Sequence, residues 1–266
     1  MLLVEAPKGG PGSFRQTADL IYTWTGRHIR ARYEQSLLGW LWAVAQPAAQ
    51  VAIFSLIFTK VVPIDTGGIP YVLFSFVAIA PWTFLSAALT DMTSSITDNM
   101  VLVSKIHFRR EVLPISAMLA RLIDFCVATA VTIVLLACYR TPVEPGRLLL
   151  LPVVLFIQLS LVAGIGLACA AANTFLRDVR PLLVLVLQVW FYASPILYPV
   201  TQVPQSVRGL YALNPVAGLI EGYRAVWLSA DVPAQYLWSA AAVACVCLVG
   251  GWLAFRRAEA LFADVV

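Results

Sequence analysis

The sequence predicts an all-α polytopic membrane protein with six transmembrane helices, an N-terminal amphipathic helix at the membrane interface, and short re-entrant helices between spans five and six. Three observations predict it. Of 266 residues, 61% are hydrophobic and 12% are charged, against roughly 25% charge in ordinary soluble domains. The charges cluster, leaving intervals long enough to cross about 30 Å of hydrocarbon at about 1.5 Å per helical residue. The basic residues flanking those intervals are unevenly shared between the two sides.

Residues 1–35 read as a cytoplasmic N-terminus, 36–255 as the membrane domain and 256–266 as a cytoplasmic C-terminus. Met1 to Gly12 has no basic start leading into an apolar run and a small-residue cleavage site, so the N-terminus is expected to be retained and inside. From Phe14 to Ile29, helical spacing puts Phe14, Ala18, Ile21 and Trp24 on one side and Arg15, Asp19 and Arg27 elsewhere. That pattern suits the interface, either as a lipid anchor or as a docking surface.

The first span, Leu37 to Thr59, lies in the uncharged stretch between Glu34 and Lys60. Further uncharged intervals lie between Asp65 and Asp91, Arg147 and Arg177, Arg180 and Arg208, and Asp231 and Arg256. The third span, Val112 to Tyr139, is interrupted by Arg121 and Asp124. One helical turn apart, these two are expected to form an intramembrane ion pair.

With the N-terminus inside, the inner segments hold twelve Lys and Arg and the outer segments five. Both termini are therefore expected to be cytoplasmic. Asn214 to Ala230 could upset this count. Asn214 reads as an N-cap with Pro215 at the first helical position, but a full crossing would put Arg256 and Arg257 outside. The segment 200–231, carrying Glu221 and Arg224, is therefore read as re-entrant, and Glu221 with Arg224 as a structural ion pair.

The loop 91–111 is the longest inner connection. Its Ser and Thr cluster offers N-caps for a short helix along the membrane, followed by Lys105, His107, Arg109 and Arg110.

No enzyme chemistry emerges. His28 and His107 belong to no metal-ligand spacing, and Lys8, Lys60 and Lys105 lack the glycines and the following Ser or Thr of a phosphate-binding loop. The five cysteines lie in apolar stretches and read as unpaired core residues. No metal and no cofactor are expected in this chain, and no polar basic surface suits nucleic acid. Any ATP-driven work must draw on another polypeptide.

Two stripes could meet a polar solute. Trp42, Gln46 and Gln50 recur at four-residue spacing in the first span, and Gln188, Phe191, Tyr192, Pro195 and Tyr198 return at helical intervals in the fifth. Aromatic rings with polar edges can contact sugar rings without holding them rigidly.

Several segments resemble the transmembrane subunit of ABC exporters that move bacterial surface polysaccharides, such as O-antigen, capsule or teichoic-acid chains. They are Arg32-Tyr33-Glu34-Gln35-Ser36-Leu37-Leu38-Gly39-Trp40-Leu41-Trp42 with Gln46-Pro47, Lys105-Ile106-His107-Phe108-Arg109-Arg110-Glu111-Val112-Leu113-Pro114, Phe175-Leu176-Arg177-Asp178-Val179-Arg180, Ser194-Pro195-Ile196-Leu197-Tyr198-Pro199, and Leu213-Asn214-Pro215 with Glu221-Gly222-Tyr223-Arg224. The resemblance covers nearly the whole chain, and the order and spacing of these segments carry it. One departure is Arg109, where such proteins commonly have proline.

The resemblance implies a homodimeric permease in the bacterial inner membrane, in contact with lipid and joined to two copies of a cytoplasmic ABC ATPase that binds ATP and magnesium. Loop 91–111 would be the coupling helix, with Ser95, Asp98, Asn99, Lys105, His107 and Arg109 as coupling residues. Trp42, Gln46, Gln50, Gln188, Phe191, Tyr192 and Tyr198 would line the path of a polysaccharide. An exporter of a lipid, drug or small glycoside, a membrane-embedded glycolipid transferase, and a noncatalytic scaffold are the competing readings.

Overall fold

The computed structural model describes residues 14–34, 39, 41–105, 108–231 and 234–262. These residues form helices and turns with no strand among them. In chain order they are α1 (Phe14–Tyr33), α2 (Leu41–Leu56, prolonged by a wider turn over Ile57–Val61), α3 (Tyr71–Ser94), α4 (Met100–Lys105), α5 (Val112–Cys138), α6 (Leu151–Phe175), α7 (Val179–Tyr192), α8 (Gln205–Tyr211), α9 (Pro215–Leu228) and α10 (Ala234–Glu259). Five stretches are long and apolar enough to cross a membrane: Leu41–Val61, Tyr71–Ser94, Val112–Cys138, Pro145–Phe175 and Ala234–Glu259.

The expected fifth span differs. The longest helix in its uncharged interval is α7, 14 residues long, short of the roughly 20 residues a perpendicular crossing needs. Ser194 precedes Pro195, and a residue before proline is pushed out of helical geometry, so the chain turns over 193–199 before α8.

Helix α3 is the axis of the bundle. Its faces toward the other helices are apolar, as an enclosed helix requires, and Leu73, Ile79, Leu85, Leu89 and Met92 along it are completely buried, while Thr83, Ser86, Thr90 and Asp91 make one half-exposed polar stripe. Helices α2, α5, α6, α7 and α9 all pack on it. By contrast α2, α7 and α10 leave Leu56, Leu185 and Val246 exposed, faces that only lipid or another protein can cover.

The most intimate pairing is α6 with α10, and two glycines permit it. A Cβ on Gly251 would lie 1.9 Å from the Gly164 carbonyl oxygen, and one on Gly164 would lie 2.3 Å from the Cys247 carbonyl carbon. Backbone touches backbone here, the small-residue packing that holds helices together in lipid.

Helix α9 is buried along its whole length. Asn214 caps it as the sequence predicts, its Oδ1 accepting from the Val216 amide at 3.1 Å and from Trp190 Nε1 at 2.9 Å. The carboxamide Nδ2 also donates to Ser194 Oγ at 3.0 Å. One side chain thus ties the start of α9 to the end of α7.

Three expectations need correction. The face of α1 turned toward the protein carries Leu20, Ile21, Trp24 and His28, while Ala18 is exposed and the Phe14 side chain lies outside the described residues. Packing of α1 on α5 sets that face. The Ser95 and Thr97 hydroxyls do not cap a helix; they donate to the carbonyls of Met92 at 2.7 Å and Ser94 at 3.0 Å, the local alternative open to such residues. The cysteines are unpaired, but Cys126, Cys138 and Cys245 point outward from the bundle rather than into its core, since α5 and α10 each keep one uncovered face.

Candidate functional site

Helices α2, α3 and α7 enclose a groove of about 490 Å³, within the size range of small-molecule sites. Gln46 and Gln50 of α2 line it, as do Gln188, Phe191 and Tyr192 of α7. The two stripes predicted separately thus face one space. Trp42 lies just beyond, in a cleft of about 80 Å³ that shares Gln46 and Thr83 with the groove. Tyr198 does not join them. Its hydroxyl meets that of Tyr211 at 2.8 Å, in the turn after α7.

The third wall comes from α3 and was not anticipated. Trp82, Thr83, Ser86 and Thr90 line the groove. The 83, 86, 90 spacing is helical, and was the available signal. Ser86 Oγ donates to the Thr83 carbonyl at 3.2 Å and Thr90 Oγ1 to the Ser86 carbonyl at 2.8 Å. These hydroxyl protons are used within the helix, so both oxygens can act toward the groove only as acceptors. Across from them, the buried Gln50 Oε1 has no hydrogen-bond partner. Rings also gather here: Trp82 meets Trp190 edge to face at 6.2 Å, and Phe191 meets Tyr192 edge to face at 5.1 Å.

One end of the groove is closed by charge. Arg121 and Asp124 contact each other, but only at 3.4 Å. The stronger partner of Arg121 is Asp91 of α3, held by two bonds of 2.6 and 3.1 Å. Arg32 at the end of α1 bridges both carboxylates, reaching Asp124 at 2.7 Å and Asp91 at 2.8 Å. The Tyr33 hydroxyl donates to the other Asp124 oxygen. Two arginines and two aspartates therefore form a neutral lattice joining α1, α3 and α5, where the sequence suggested one local pair. Nearby His28 has an imidazole Nε2 buried without a hydrogen-bond partner. Burial pushes its pKa down against the pull of Asp91, and Arg32, Arg27 and Arg121 push the same way.

Beyond the lattice, residues 95–105 place the predicted coupling residues unevenly. Asp98, Lys105 and Arg109 are exposed and Asn99 is half-buried, donating to the Ser95 carbonyl at 2.8 Å. Ser95 itself is buried and cannot meet a partner. His107 lies outside the described residues. The large apolar residue presented here is Val101, 70% exposed.

The C-terminal end of α10 docks beside this segment. Glu259 accepts from the Arg110 amide at 3.3 Å, and its carbonyl accepts from the Arg110 guanidinium at 2.5 Å. Phe262 is fully buried against Phe255 and Phe175. Glu111, enclosed between Arg109 at 3.7 Å and Arg256 at 3.8 Å, has its carboxyl pKa raised by burial, a shift that Arg256 opposes.

At the far end, Arg224 is 2% exposed. It pairs with Glu221 at 2.9 Å, donates to the Ile196 carbonyl at 3.1 Å and stacks 3.7 Å over the Phe74 ring. A buried cation needs this many partners. The result fixes the 196–198 turn to α9 and α3.

A family model described as ABC-2 type transporter matches residues 19–228. The chain is 31% identical over 255 residues to the O-antigen export system permease protein RfbA of Myxococcus xanthus, covering 94% of this chain and 96% of that protein. It is 25% identical over 248 residues to a protein of the same name from Klebsiella pneumoniae, covering 93% and 95%. Against the polysialic acid transport protein KpsM of Escherichia coli it is 25% identical over 219 residues, covering 79% and 83%.

Proposed function

This chain belongs to the ABC-2 type transporter family, and from that premise we propose that it is the permease subunit of an ATP-driven exporter that carries a polysaccharide, of the lipid-linked O-antigen type, across the bacterial inner membrane. The observation that carries the reading is the groove between α2, α3 and α7. Side-chain amides, hydroxyl oxygens and aromatic rings facing one space suit weak, repeated contacts with a sliding sugar chain better than a tight pocket would.

Two copies of the chain pair so that their grooves enclose one path. The exposed apolar faces of α2 and α7 flanking the groove support that arrangement. ATP and magnesium are bound by two copies of a separate cytoplasmic ATPase, which receives the segment 91–111 in its own groove. Val101, Asp98 and Lys105 are the side chains that segment offers. Closure of the ATPases on ATP moves this segment, and the Arg110–Glu259 contact passes the motion to α10 while the charge lattice passes it to α3 and α5. Both termini are cytoplasmic, and α8 and α9 enter and leave on the outer side around the exit. Catalysis in this chain is not required: its side chains bind, orient and move.

The test is gentle detergent purification from the native membrane. Recovery of a nucleotide-hydrolysing partner in equal copy number supports the reading. Turnover of a lipid-linked sugar by the purified chain alone would replace it with a transferase.

A further inference from the structure

We infer that the polymer carried by this permease is an uncharged glycan, rich in hydroxyl donors, rather than a polyanion. The inference rests on the export reading and deepens it by naming the substrate class. Among the described residues, the charged groups lining the groove are Asp91 and Arg121, and they neutralise each other through two hydrogen bonds. Arg121 reaches Asp124 as well, so its guanidinium is engaged on both sides. Residues 35–38 and 40, next in sequence to α2, are Gln, Ser, Leu, Leu and Trp and carry no charge. A second copy of the chain would contribute the same neutral set.

A chain bearing one negative charge per repeat would have to shed water where the described residues lining the groove offer no free cation to receive it. Desolvating an unpaired carboxylate or phosphate is among the most costly steps in protein energetics. The hydrogen-bonding sense of the wall points the same way. Ser86 and Thr90 have given their protons to backbone carbonyls, while the Gln46 and Gln188 carboxamides offer N–H donors to the same space. Sugar hydroxyls both donate and accept and can use both kinds of group, whereas ionised carboxylates and phosphates only accept and leave the Ser86 and Thr90 oxygens unused. Trp82, Phe191 and Tyr192 add ring faces for the apolar sides of such sugars.

The experiment uses the permease reconstituted with its ATPase in proteoliposomes. ATP hydrolysis is measured with lipid-linked polymannose and with lipid-linked polysialate of equal length. The inference expects polymannose to stimulate hydrolysis about tenfold more, the factor that 1.4 kcal/mol confers. It also expects Gln188→Lys, at an exposed groove position where the ammonium stays solvated, to raise the polysialate response. Polysialate equal to or better than polymannose in the unaltered protein would overturn the inference while leaving the export reading in place. Stimulation by neither polymer, with basal hydrolysis intact, would overturn both.

Discussion

Arg121 of α5 grips Asp91 of α3 at 2.6 and 3.1 Å, closer than it approaches Asp124 one turn along its own helix at 3.4 Å. These charges thus serve tertiary structure: they hold α1, α3 and α5 together at the closed end of the groove. Removing the Asp91 charge leaves Arg32 and Arg121 sharing the single carboxylate of Asp124 in a partly buried site. Asp91→Asn is expected to lower stability by about 2 kcal/mol, the scale of a lost hydrogen bond to a charged group. Thermal unfolding in detergent reads this directly. The double variant Asp91→Asn with Arg121→Gln should be less damaged than the sum of the two single changes; simple additivity would show that the lattice is not coupled.

The groove predicts a second outcome. Gln46→Leu or Tyr192→Leu should reduce polymer export several-fold while the oligomeric state and ATPase binding, followed by size-exclusion chromatography, stay unchanged. Tyr192 is 60% exposed, so its replacement costs little packing. Full export by both variants would remove α2 and α7 from the path.

Backbone contact between α6 and α10 gives a third. Gly251→Ala places a methyl group 1.9 Å from the Gly164 carbonyl oxygen and should destabilise by about 1–3 kcal/mol, the cost of overpacking. Gly250→Ala is the control, because nothing lies within 4 Å of a Cβ there. Its thermal unfolding midpoint should be unchanged or slightly raised. Equal midpoints for the two variants would contradict the close approach.

His28 supplies a pH dependence. Its pKa is lowered in the folded protein by burial, so the undocked state binds the proton more readily. The docking of α1 is therefore fullest above the ordinary value of about 6.5, and is lost as pH falls from there through the lowered folded value. The protection of the α1 amides, taken as the exchange rate relative to the intrinsic rate at each pH, should fall as the pH drops below about 6.5. His28→Gln should flatten that profile; an unchanged slope would assign the dependence to another group.

Much of this was legible in the sequence because it is written in local pattern. Uncharged intervals locate helices in lipid, Asn214 before Pro215 announces the cap that α9 has, and the four-residue spacing of Gln46 and Gln50 marks the face that lines the groove. What could not be read depends on partners distant in the chain. Arg121 and Asp124 look self-sufficient at a one-turn spacing, and only the packing of α3 on α5 brings Asp91, 30 residues away, onto Arg121. Thr83, Ser86 and Thr90 resemble ordinary small polar residues of a buried helix until α2 and α7 stand apart beside them. The shortness of α7 was hidden because an uncharged interval reports where lipid is tolerated, not where a helix stops.

The most direct measurement of the central claim is transport itself. Inside-out vesicles containing the permease and its ATPase are given radiolabelled lipid-linked polymer, and its arrival in the lumen is followed with and without ATP. Accumulation that needs ATP, needs both polypeptides and is reduced by Gln46→Leu is the predicted result. Accumulation without the ATPase, or none with both proteins present and hydrolysing ATP, would contradict it.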